Sequence, residues 1–214
     1  MRVRPVSSGP LVTCHMQECR KCEQFGLVFQ RHYQPEEFIE GSVDSKIWIV
    51  GLNPAVEPAP QASALSGYFA DLSKMHSYFR DFAVVSARLF AGFGKTEGTA
   101  HTDLVKCSSN GWPPPGITSA GRTAIVRNCQ GYLVSQIQKY RPAMIVCNGA
   151  EVSTAIKSAL PPSTATSQEA TSYFTQVGDR RVCVVLSGFI GRIDNYAKRR
   201  LGREIEDRLA EMGL

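Results

Sequence analysis

The stretch Ile47-Trp48-Ile49-Val50-Gly51-Leu52-Asn53-Pro54-Ala55 constrains this chain more than any other. A continuous apolar run rich in β-branched residues predicts a strand, Ile47–Val50, covered on both faces as in a parallel sheet. Gly51 and Pro54 break it at the carboxyl end of the strand, where open parallel sheets hold ligands. Asn53 stands in that turn with an amide able to orient a water or to read a polar edge.

The rest of the chain repeats this alternation. Aromatic and aliphatic residues recur at helical spacing from Leu65 to Phe93, and Gly92 and Gly94 end that helix or helix pair. Thr102–Cys107 predicts a short strand and Arg122–Tyr140 a helix closed by Pro142. Met144–Cys147 predicts a strand, Glu151–Leu160 a short helix, and Tyr173–Val177 and Val182–Leu186 two more strands. A Gly-rich loop, Ser187–Arg192, then leads to a charged helix, Tyr196–Met212. Strands alternating with helices predict an α/β fold, a three-layer α/β/α domain around a central, mostly parallel sheet. At 214 residues the chain suits one such domain, over 46–214, preceded by an irregular cysteine-containing segment over 1–45.

No apolar run approaches the ~18 residues that span a bilayer, and the basic N-terminus lacks the apolar core of a secretory signal. The expectation is a cytoplasmic protein without a membrane partner, working as a monomer. The net charge of +5 suits a polyanionic partner, and Arg192, Lys198, Arg199, Arg200 and Arg203 cluster late in the chain. Such a run reads as a solvated helix face or a nucleic-acid contact. Seven cysteines in such a chain point to metal and core roles ahead of disulfides. Cys147 and Cys183 lie inside apolar strand runs and read as core. Cys14, Cys19, Cys22, Cys107 and Cys129 lie in polar segments. A CxxC at Cys19–Cys22 with two distant cysteines can make an iron–sulfur cluster or an all-cysteine zinc site, with Cys14 as a fifth candidate; coincidence without any metal is the remaining reading.

Four loops should meet at one end of the sheet: Gly51–Ala55, Gly67–Asp71, the end of Thr102–Cys107, and Ser187–Arg192. An amide, an aromatic face, a carboxylate and an arginine would then converge, an inventory for holding a planar base.

The ordered set Cys19–Cys22, Ile49–Ala55, Gly67–Phe69, Thr102–Cys107, Cys129–Ile137 and Arg141–Gly149 resembles the iron–sulfur uracil-DNA glycosylases over about residues 14 to 150. The Gly51-Leu52-Asn53-Pro54 turn is also similar to that of the mismatch-specific branch of the same superfamily. The resemblance implies a [4Fe–4S] cluster, structural rather than redox-active, on Cys19, Cys22, Cys107 and Cys129. It implies Asn53 as the residue that orients the hydrolytic water, within a substrate-binding turn that includes Gly51 and Leu52. Phe69 would stack on the flipped base, Asp103 would read its edge, and Ser187 would stand in the last substrate loop. DNA carrying a damaged base would be the partner and base excision repair the role. Two departures shift that expectation. Asp103 replaces an Asn, and an ionised carboxylate only accepts hydrogen bonds, so it would suit an exocyclic amino group better than uracil. The last loop also lacks the family's histidine, leaving Arg192 to supply positive charge. The expected outcomes are weak action on uracil, a shifted substrate, or a DNA-binding protein without catalysis.

Overall fold

The computed structural model describes residues 18–27, 29, 38–54, 77–164, 167 and 170–214. Five strands, β1 (Ile47–Gly51), β2 (Thr99–Asp103), β3 (Met144–Asn148), β4 (Ser172–Val177) and β5 (Arg180–Ser187), form one sheet in the order β2-β1-β3-β5-β4. All neighbours run parallel except the β4–β5 hairpin. The described helices are α1 (Ser77–Arg80), α2 (Phe82–Val85), α3 (Ala87–Gly92), α4 (Ser119–Tyr140), α5 (Ala150–Ala159) and α6 (Asn195–Glu211).

Strand alternation divides the core into two layers. Trp48, Val50, Ala100, Ile145, Cys147, Val182 and Val184 face α4 and α5, where Ile125, Leu133, Ile137, Val152 and Ile156 cover them. Ile47, Ile49, Met144, Val146, Cys183 and Val185 face the opposite way, onto Phe79, Phe82, Val85, Leu89, Ile205 and Leu209. Every residue of β1 and β3 is buried, because helices cover both faces of the central strands. The expected three-layer α/β/α architecture is therefore the observed one.

Local chemistry sets the helix ends. Thr118 accepts a hydrogen bond from Gly121 N at the start of α4, and Asp194 accepts one from Ala197 N at the start of α6. Arg141 closes α4 in the left-handed region, and Pro142 follows. Two expectations need correction. The strand placed at Thr102–Cys107 lies earlier, at Thr99–Asp103, and Leu104–Cys107 is turn. Lys198 is not solvated: it is buried, with its ammonium 3.1 Å from Asp81. Of the helical stretch expected over Leu65–Phe93, residues 65–76 lie outside the described residues, and the remainder forms three short helices. Among the described residues, no helix is long and apolar enough to cross a membrane.

Gly202 lets α6 lie directly on α2. A Cβ there would overlap the Val85 carbonyl. Gly202→Ala should destabilise the protein by about 1–3 kcal/mol through overpacking, read as a lower urea midpoint with an unchanged slope. An unchanged midpoint would mean that α6 is not held this closely.

Candidate base pocket and thiol site

The carboxyl ends of β2, β1, β3 and β5 form one edge, and their last residues are Asp103, Gly51, Asn148 and Ser187. In register, Gly51 pairs with Asp103 and Asn148 with Ser187. Asp103, Asn148 and Ser187 are thus each in phase with the layer that carries Ile49, Val146 and Val185.

His101, two residues before Asp103, points to the same side and is 5% exposed. Its Nδ1 is 2.6 Å from Glu40 Oε2, and its Nε2 is 3.1 Å from Tyr78 Oη and 4.0 Å from Asp103 Oδ1. Asn148 continues the chain: its Nδ2 donates to Tyr78 Oη at 2.6 Å, while its Oδ1 accepts from Ile190 N at 2.7 Å. One buried polar network therefore joins the segment before β1, β2, α1, β3 and the loop after β5. Gly51 makes room for it, since a Cβ there would collide with Asp103 Oδ1 and stand 2.9 Å from His101 Nε2.

The network is electrostatically tense. Burial raises Asp103 to about 6, with Glu40 adding to the rise and the His101 and Lys106 cations opposing it. Burial disfavours the His101 imidazolium, but the Asp103 and Glu40 carboxylates outweigh it and leave the pKa above its ordinary value. Lys106 is fully buried; burial lowers it to about 8 against the pull of Asp103, and its Nζ donates to Thr102 Oγ1 at 2.8 Å.

The turn after β1 is sewn to the segment after β2. Leu104 N donates to Gly51 O, Val105 N to Leu52 O and Ser109 N to Pro54 O. Asn53 Nδ2 donates to Pro54 O at 3.0 Å and to Ser109 Oγ at 2.8 Å. Those bonds fix its amide plane, and its Oδ1 takes no hydrogen bond from a described residue. Leu52 is half-buried against the α4 layer. Ser187 Oγ donates to Gly188 O, and the Ser187 carbonyl accepts from Gly149 N and Ser153 Oγ. Arg192 lies in the following turn, exposed, with its backbone N bonded to Phe189 O. Among the described residues, the cations that act on Asp103 are His101 and Lys106. In the same loop Phe189 stacks on Tyr78 with centroids 6.2 Å apart and is 42% exposed. Phe69 lies outside the described residues.

Three of the four expected thiols, Cys22, Cys107 and Cys129, gather on the other side of the sheet. Cys22, Cys107 and Cys129 are buried, and their sulfurs share hydrogen bonds with one another. Hydrogen bonds from Cys107 and then Cys129 lower Cys22 to about 3, and Asn128 Nδ2 lies 3.7 Å from its sulfur. Cys19 meets the hydroxyl of Tyr132, one turn along α4 from Cys129. All four cysteines are free of disulfides. As placed, the thiols bond one another, and among the described residues no three His, Cys, Asp or Glu groups form a ready-made metal cage. The donors are nonetheless all sulfur and already include a favoured thiolate, which fits a zinc ion or an iron–sulfur cluster. Cys14 lies outside the described residues.

No protein-family model matches the chain, and no curated protein matches it at a significant level.

His101, Glu40, Tyr78 and Asn148 had no place in the pocket expected from sequence. The signal for His101 was its spacing of two from Asp103, which places both on one face once the strand is set at Thr99–Asp103. Both titrating groups bind protons more tightly in the folded protein. For Asp103, stability is greatest below its ordinary 3.8 and falls as pH rises through about 6. For His101, it is complete below 6.5 and is lost as pH rises through the raised value. His101→Gln should therefore cost about 1–3 kcal/mol near pH 6, with the gap from the parent protein narrowing toward pH 9 in urea titrations. A gap that widens toward pH 9 would mean a neutral His101.

Proposed function

We propose that this protein is a DNA glycosylase of the uracil-DNA glycosylase type, hydrolysing the N-glycosidic bond of a deaminated or damaged base in DNA in the course of base excision repair, as a cytoplasmic monomer. One observation carries the reading: polar groups of Gly51, Asn53, Asp103 and Asn148 lie along the carboxyl edge of a parallel sheet, while Cys22, Cys107 and Cys129 gather beside α4.

The target base must leave the duplex stack at a cost of a few kcal/mol, least for a mismatched or damaged base. Asp103 then reads its edge, and Phe69 supplies the stacking face. Asn53 is held through Nδ2 by Pro54 O and Ser109 Oγ, which leaves Oδ1 to accept a hydrogen bond from the attacking water and orient it. As the bond breaks, the sugar gains positive charge and the base negative charge, and fixed donors at the strand ends stabilise the latter. The loop after β5 presents Phe189 and Arg192 to solvent, and exposed Arg199, Arg200 and Arg203 follow on α6, a surface suited to phosphates. Cys19, Cys22, Cys107 and Cys129 would hold a [4Fe–4S] cluster or zinc. When bound, that group would cross-link the N-terminal segment, the turn after β2 and α4.

A binding protein with little catalysis is the second reading. It is favoured by the loop after β5, which carries an exposed Arg192 and no histidine.

Protein purified without oxygen should be brown and carry about four iron atoms per chain, and Cys22→Ser should lose both colour and iron. On duplexes with a single damaged base, Asn53→Ala should slow base release about 100-fold at unchanged DNA affinity. Full activity in that variant would remove Asn53 from the mechanism. Tight binding with no released base would favour the second reading.

A further inference from the structure

Asp103 is 6% exposed and ends β2 directly beside Gly51, where no side chain separates it from the turn after β1. It does not stand alone. His101 lies 4.0 Å behind it, and Glu40 holds His101 from the far side at 2.6 Å. Glu40 is itself fixed to β2 by two backbone hydrogen bonds, Glu40 N to His101 O and His101 N to Glu40 O. Among the described residues, the charged or titratable groups around Asp103 are thus Glu40 from the segment before β1, Tyr78 from α1, His101 on β2 and Lys106 beyond it. Two of them are cations that oppose its protonation.

An ionised carboxylate has two acceptor oxygens and no donor. A uracil-type imide presents acceptor, donor, acceptor, so one of its carbonyls would face an anionic oxygen. A ring N–H next to an exocyclic amine presents two parallel donors, which a carboxylate takes in a bidentate pair.

We propose that Asp103, held by the Glu40–His101 pair behind it, makes this a pocket for a base with two adjacent N–H donors, an amino-lactam edge like that of an oxidised guanine, in preference to an imide such as uracil. The proposal deepens the glycosylase reading and rests on it for the site, while its discrimination concerns base recognition alone. His101 acts here as a positioning residue, through Asp103. Protonated Asp103 gains a donor and imitates an asparagine, so uracil should become acceptable as pH falls through about 6.

The test uses the full chain, purified without oxygen, with duplexes carrying one 8-oxoguanine, one uracil or one xanthine. Base release and equilibrium affinity are both measured at pH 5.5 and pH 8. At pH 8 the protein should favour 8-oxoguanine over either imide by about tenfold or more, and Asp103→Asn should reverse the order toward uracil by a similar factor. His101→Gln should keep the order but move the pH at which uracil becomes acceptable upward, a change that loose packing alone would not produce. Release of uracil ahead of 8-oxoguanine at pH 8, or an order that Asp103→Asn leaves untouched, overturns the proposal and keeps the glycosylase reading. Discrimination in affinity without any release keeps the proposal and overturns the glycosylase reading. Neither release nor discrimination overturns both.

Discussion

The ion group Glu40–His101–Asp103 is the constraint around which this edge of the molecule is built. A charge inside a sheet layer is costly unless opposite charges and hydrogen bonds meet it. His101 sits in the middle of β2, with the rings of Phe79 and Tyr78 edge-on at 5.2 and 5.4 Å, and has little water to turn to. Glu40 answers from outside the sheet. β2 is an edge strand, and the Glu40–His101 bridge, together with Thr102 Oγ1 donating to Phe38 O at 2.7 Å, covers its open side. The residues that satisfy the charge also protect the edge.

The same strand ties the two candidate sites together. Asp103 belongs to the pocket and Cys107, four residues later, to the thiol group. Lys106 lies between them, close enough for Asp103 and the Cys129 sulfur both to raise its affinity for a proton. Metal at the thiols would therefore fix the turn that follows Asp103. The Gly51–Pro54 turn, bonded to Leu104, Val105 and Ser109, would be fixed with it.

The parts of the fold legible in the sequence were those written as periodicity. Ile47–Val50, Met144–Cys147 and Val182–Leu186 announced buried strands because helices cover both their faces. Arg122–Tyr140 announced its helix through its apolar residues, although Thr118 caps it a turn earlier. β2 was misplaced because Thr99-Ala100-His101-Thr102-Asp103 is polar for a buried strand, and its polar side chains are satisfied by Glu40, Phe38 and Lys106 from elsewhere. Lys198 was misread for a related reason, since only the structure brings Asp81 to it. At the carboxyl edge, the places of Gly51 and Asn53 were legible from turn chemistry. Glu40, Tyr78 and Asn148 were not, because each enters through a tertiary contact that no local pattern encodes.

The most direct test is a crystal structure of the full chain with a duplex in which the target nucleotide carries a 2′-fluorine, so that the glycosidic bond survives. The proposed base excision at this edge of the sheet requires that base to lie outside the stack, with its edge within hydrogen-bond reach of Asp103 and its C1′ facing a water held by Asn53. A base still stacked in the duplex, or DNA seated away from the carboxyl edge of the sheet, would contradict it.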